Sequence, residues 1–184
     1  MAALASLVGL TATLALALSS PAEAARHRSS HRGGGYTPPS SSIVVDAKTG
    51  KVLEGENEDA SRIPASITKV MTLYLLFEQL ERGRVQLDTE FNVSAHAAAQ
   101  PPTKLGLRPG STIEVEDAIK GMVTLSANDA AMVVAENIGG SEQAFAEMMT
   151  RKARALGMNS TVFYNPHGLP NAPSNMTTWC GKPA

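Results

Sequence analysis

Arg62-Ile63-Pro64-Ala65-Ser66-Ile67-Thr68-Lys69-Val70-Met71-Thr72 heads the most apolar stretch downstream of the N-terminal segment. Pro64 carries a φ suited to a first helical turn. Val70, Met71, Leu73, Tyr74, Leu75, Leu76, Phe77 and Leu80 follow, apolar nearly all round, as in a core helix. The pattern predicts a helix from Ala65 to Arg82, stopped by Gly83. Residues i and i+3 share a helix face, so the Lys69 amine is expected beside the Ser66 hydroxyl. A serine hydroxyl is a poor nucleophile until a base takes its proton. Lysine can be that base once desolvation lowers its pKa. In a first turn, free N–H groups and the helix dipole also favour developing negative charge, which is half of an oxyanion site. The bare Ser-x-x-Lys pair arises easily by chance, and its weight comes from this placement.

A second short motif, Ser126-Ala127-Asn128, lies between two apolar segments. Val115, Ala118, Ile119, Met122, Val123 and Leu125 precede it, and Ala130-Ala131-Met132-Val133-Val134-Ala135 follow shortly after. Both flanks read as helices, which puts Ser126 and Asn128 on a tight connection. A hydroxyl and an amide there can relay a proton and hydrogen-bond a substrate amide. The plain alternative is that both residues cap the second helix.

Together the two motifs resemble the serine D-alanyl-D-alanine carboxypeptidases, the low-molecular-mass penicillin-binding proteins, which share Ser-x-x-Lys, Ser-x-Asn and Lys-Thr-Gly with serine β-lactamases. The resemblance runs from Ser42 to Thr177. It includes Val45-Asp46-Ala47-Lys48-Thr49-Gly50-Lys51-Val52-Leu53, Pro64-Ala65-Ser66 and Asn165-Pro166-His167-Gly168-Leu169. It implies Ser66 as the acylated nucleophile, Lys69 as general base, Ser126 as proton relay and Asn128 as the substrate-orienting amide. The implied substrate is a peptidoglycan stem peptide ending in D-Ala-D-Ala, with β-lactams as covalent inhibitors and no metal or organic cofactor. The implied fold is α+β, of the DD-peptidase/β-lactamase type: here an N-terminal hairpin and an all-helical lobe, without the later strands of the antiparallel sheet.

One element departs from the family. The one Lys-Thr-Gly in the chain, Lys48-Thr49-Gly50, precedes the nucleophile and sits between two β-like runs, so it reads as a hairpin turn. In the family that element binds the terminal carboxylate, and an N–H beside it completes the oxyanion hole; losing one such donor costs about 10² to 10³ in rate. Trp179-Cys180-Gly181-Lys182-Pro183-Ala184 also looks unlike the family, so a C-terminal truncation or frameshift is expected, with little or no turnover. A serine β-lactamase is an alternative, but Ala127 stands where such enzymes carry Asp. A non-catalytic wall-binding remnant is the other.

The expected organisation is a signal peptide over 1–24, a flexible basic Ser/Gly/Pro-rich linker over 25–41, a partial DD-peptidase domain over 42–178 and an aberrant tail over 179–184. Leu4 to Leu18 is an apolar run followed by Ala22-Glu23-Ala24, a small-residue cleavage site. It is shorter than the roughly 20 residues of a membrane span, so no membrane anchor is expected in this chain. Export to the periplasm or cell envelope follows. One cysteine excludes an internal disulfide, and a net charge of -1 argues against nucleic acid. His27 and His31 lack nearby carboxylates and are discounted as metal ligands. Phe145, Met148, Met149, Ala153 and Leu156 recur at helical spacing before Gly157, as core. Lys104 and Arg108, in a loop that resembles a family loop near the cleft, are candidates to face substrate; His96 is expected at the surface and His167 as a turn stabiliser.

Overall fold

Asp46 closes the first hairpin. Its Oδ1 accepts from Lys48 N (3.1 Å), Thr49 N (2.7 Å) and Thr49 Oγ1 (2.7 Å), an Asx-type turn. The turn joins β1 (Ser42–Val45) to β2 (Val52–Glu56), paired antiparallel with Ser42 opposite Glu56. Lys48-Thr49-Gly50 is therefore a turn, as its flanks predict. Both strands are exposed along their whole length. The computed structural model describes residues 39–170. The expected signal peptide, most of the linker and the aberrant tail lie outside the described residues.

A 3₁₀ turn (Ala65–Thr68) leads into α1 (Lys69–Glu81), and Gly83 ends the segment at φ +65°. The α-helix thus starts at Lys69, later than the pattern predicts, and Ser66 sits in the tighter turn ahead of it. Nor is α1 buried all round. Met71, Leu75 and Leu76 enter the core, while Val70, Tyr74 and Phe77 stay exposed.

Two three-residue strands, β3 (Glu90–Asn92) and β4 (Thr112–Glu114), form a second antiparallel pair with the short α2 (Ala95–Ala98) between them. Neither strand is long enough to show an alternating pattern in the sequence. Then come α3 (Val115–Thr124), α4 (Asn128–Gly139) and α5 (Glu142–Ala155). The central element is α4. Every residue from Asn128 to Ala135 is buried, and its alanines let α1, α2, α3, α5 and β3 pack closely around it. Asn137 ties α4 to β3, donating through Nδ2 to Asn92 O (2.9 Å) and accepting from Asn92 N (3.1 Å).

Ser141 caps α5 by accepting from Ala144 N (3.1 Å). Phe145, Met149 and Ala153 then enter the core at the predicted spacing, while Leu156 stays exposed. Lys152 of α5 donates to Glu78 Oε1 of α1 at 2.7 Å and lies 5.5 Å from the centroid of the Tyr74 ring. Among the described residues no helix is long and apolar enough to cross a membrane.

Phe145 is fully buried where α5 meets α4. Phe145→Ala is expected to cost about 3–5 kcal/mol through lost burial and a residual cavity, read from the urea midpoint. A cost under about 1 kcal/mol would show that α5 does not hold the lobe together.

Candidate active site

Three chain segments meet at one amine. The first is the 3₁₀ turn, entered through Ala65 at φ +46° and closed by Ile67 N donating to Pro64 O (3.1 Å). It leaves Ser66 exposed and sets Lys69, the first residue of α1, inward at 3 % exposure. Lys69 Nζ reaches Ser66 Oγ at 3.2 Å, Ser126 Oγ at 3.3 Å and the His167 carbonyl at 3.4 Å. An ammonium has three N–H donors for these three acceptors; the neutral amine can instead accept the Ser66 proton. Burial pulls the Lys69 pKa down from 10.5 to about 8.

The second segment is the α3–α4 connection. Ser126 sits at φ +58°, a conformation non-glycine residues rarely hold and one that costs of order 1–3 kcal/mol. Its carbonyl accepts from Thr103 Oγ1 (3.1 Å). Ala127, not Ser126, occupies the N-cap of α4, and the Ser126 side chain makes no capping bond to that helix. The capping alternative is therefore overturned: the Ser126 oxygen lies against Lys69. Asn128, 3 % exposed, opens α4, with its N donating to Thr103 O (2.8 Å) and its Nδ2 to Pro101 O (2.9 Å).

The third segment is Asn165-Pro166-His167-Gly168-Leu169. Asn165 Oδ1 accepts from His167 N (3.2 Å) and Gly168 N (2.6 Å), and its Nδ2 donates to Leu169 O (2.8 Å). Thr72 Oγ1 of α1 fastens the segment through Pro166 O (2.7 Å). His167 is 2 % exposed, and its Nδ1 accepts from Leu169 N (3.1 Å). Burial first, then the charges of Lys69 and His96, lower its pKa to about 4. The ring is neutral near pH 7 and serves the turn; its carbonyl serves the site. Gly168, at φ +79°, lies so close to the first segment that a Cβ there would collide with Ala65 O and come within 2.5 Å of Thr68 Oγ1.

Ser66, Lys69 and Ser126 are thus brought together, and Asn128 stands one residue inside α4. Lys104 does not reach outward, because its Nζ donates to Ala98 O (3.1 Å). Arg108 is exposed, and His96 pairs at the surface with Glu142 (2.9 Å). Among the described residues no group of three or more His, Cys, Asp or Glu is placed to hold a metal. Neither the His167 carbonyl nor the Thr103 contacts are visible in the sequence. Backbone acceptors leave no residue-type signal, although the Asn165–Leu169 motif marked the place.

The family described as D-alanyl-D-alanine carboxypeptidase matches residues 36–179. The chain belongs to this family. It is 39 % identical over 129 residues to the Bacillus subtilis D-alanyl-D-alanine carboxypeptidase DacF, covering 70 % of this chain and 33 % of that protein. The family's DacD from Francisella tularensis superposes with a TM-score of 0.71 at 36 % identity, over 75 % of this chain and 33 % of that one. Penicillin-binding protein D2 from Listeria monocytogenes, solved in an ampicillin-bound form, gives a TM-score of 0.62 at 27 % identity, over 76 % of this chain and 56 % of that one. The α+β, DD-peptidase-like fold follows from these likenesses. The chain spans about a third of the length of the curated relatives it matches.

Gly168→Ala is expected to destabilise by about 1–3 kcal/mol through forced backbone retreat, seen as a lower melting midpoint. An unchanged midpoint would show that the Asn165–Leu169 segment yields without cost.

Proposed function

We propose that this chain carries the acylation half of a serine D-Ala-D-Ala carboxypeptidase. The observation that supports it best is the Lys69 amine, buried and within 3.2–3.3 Å of the Ser66 and Ser126 hydroxyls. A pKa of about 8 leaves about a tenth of Lys69 neutral at pH 7, against about one molecule in three thousand at the ordinary value. Exposure of Ser66 leaves its oxygen open to a substrate carbonyl.

In this reading the Ser66 proton passes to neutral Lys69 as Oγ attacks the carbonyl carbon of the penultimate D-Ala. The tetrahedral adduct collapses with cleavage of the C–N bond. The leaving amine of terminal D-Ala takes its proton from Ser126, which is resupplied by Lys69. An ester on Ser66 remains for water to hydrolyse. Asn128, held through one amide hydrogen by Pro101 O, keeps Oδ1 and its second hydrogen for the substrate amide. The same chemistry opens a β-lactam ring, and a relative with ampicillin bound supports β-lactams as covalent inhibitors. The proposed substrate is a stem peptide of peptidoglycan, and the proposed location is the periplasm or cell envelope, in keeping with the apolar leader read at Leu4 to Leu18.

Residues 39–170 provide two of the three family motifs, because Lys48-Thr49-Gly50 is spent on a hairpin turn. Acylation is the step these residues support, and turnover by this chain is proposed to be weak or absent.

Fluorescent penicillin tests the reading. Covalent labelling is expected in the parent and absent in Ser66→Ala. Absence of label from a parent that melts cooperatively would replace the acyl-enzyme with a wall-binding role. The labelling rate is further expected to rise about tenfold per pH unit below the Lys69 pKa and to level off above about 8. A profile flat from pH 6 to 9 would remove Lys69 as the base.

A further inference from the structure

Asp129 is fully buried beside Asn128, and the acylation chemistry does not use it. Its Oδ1 accepts from Leu105 N (2.9 Å) and Ala130 N (2.9 Å); its Oδ2 accepts from Gly106 N (2.9 Å) and Leu107 N (3.1 Å). Three successive N–H groups of one loop converge on this carboxylate, a backbone nest around an anion built from the protein itself. Charge-assisted bonds of this kind are roughly twice as strong as neutral ones.

The clasped loop is the one that holds the candidate relay. Just upstream of Leu105, Thr103 Oγ1 donates to Ser126 O, Thr103 O accepts from Asn128 N, and Pro101 O accepts from Asn128 Nδ2. Leu105 also lies against Gly121 of α3, where an added Cβ would come within 2.6 Å of its Cδ1. Ser126 holds a disfavoured positive φ, and a strained residue keeps its conformation only where its surroundings over-determine it.

We propose that Asp129 is a positioning residue: by clasping Leu105–Leu107 it locks the Pro101–Thr103 segment onto the Ser126–Asn128 turn and so keeps the Ser126 hydroxyl on Lys69. The proposal rests on the acyl-enzyme reading for its kinetic consequence, but the clasp itself stands on geometry. Replacing one oxygen by an amide NH₂ in Asp129→Asn sets a donor against backbone donors and frees the loop.

A double-mutant cycle in the full chain tests it, with fluorescent penicillin as probe. Asp129→Asn is expected to slow labelling at least tenfold while leaving a cooperative melt. In a Ser126→Ala background it is expected to add nothing, because both changes remove the same interaction. Wild-type labelling, or a loss that multiplies with that of Ser126→Ala, overturns the proposal. Thr103→Val, at an exposed position, breaks the bond to Ser126 O if Asp129→Asn fails to fold, and the same coupling to Ser126 is required of it. Amide hydrogen exchange reads the clasp without any acylation. Leu105, Gly106 and Leu107 are expected to be protected in the parent and to exchange at least tenfold faster in Asp129→Asn. Unprotected amides in the parent overturn the clasp, whereas a parent that takes no label but protects them overturns only the acyl-enzyme reading.

Discussion

The arrangement depends on placing a lysine amine out of water against neutral oxygens. Two hydroxyls and a backbone carbonyl surround Lys69 Nζ. A carboxylate in their place would hold the charge on and keep the pKa high; uncharged acceptors satisfy the N–H groups while favouring the charged form far less. Desolvation then wins, and the amine moves towards the neutral form a base requires. Burying that group is unfavourable in itself, so neighbouring structure has to enforce it.

That enforcement comes from two turns that meet across the amine. Ala65 and Ser126 both hold positive φ, and neither has the freedom of glycine to do so cheaply. One is fixed from outside by the Asn165–Leu169 segment pressing on it through Gly168. The other is fixed by a loop bonded to the start of α4. Behind both, α4 supplies a rigid floor, buried from its first residue through Ala135. The polar side chains near the site, Asn165, Thr72, Thr103 and Asp129, mostly bond backbone groups, which is how irregular segments are held in place when they contribute no ladder of their own.

Much of this was legible in the sequence where one residue's character settles its place. Helical spacing alone put Ser66 beside Lys69, and turn chemistry alone read Lys48-Thr49-Gly50 correctly. The core face of α5 followed from the spacing of Phe145, Met149 and Ala153. What could not be read was set by tertiary contact. The onset of α1 at Lys69 depends on a 3₁₀ turn wedged against residue 168. The exposure of Val70, Tyr74 and Phe77 depends on which neighbours are present. The strands β3 and β4 are too short for any periodicity. Asp129 carries no signal in the sequence beyond its acidic character, and only the loop folded over it reveals what it holds.

The three acceptors around Lys69 lie 3, 57 and 98 residues away along the chain. Only the nearest can form as the helix forms; the others close long loops and arrive late. A growing or partly folded chain therefore displays an ordinary serine beside an ordinary, protonated lysine. On the proposed acyl-enzyme reading, reactivity is acquired only when the last of those segments docks, which makes it a property of tertiary completion, and an unfinished chain would be chemically quiet.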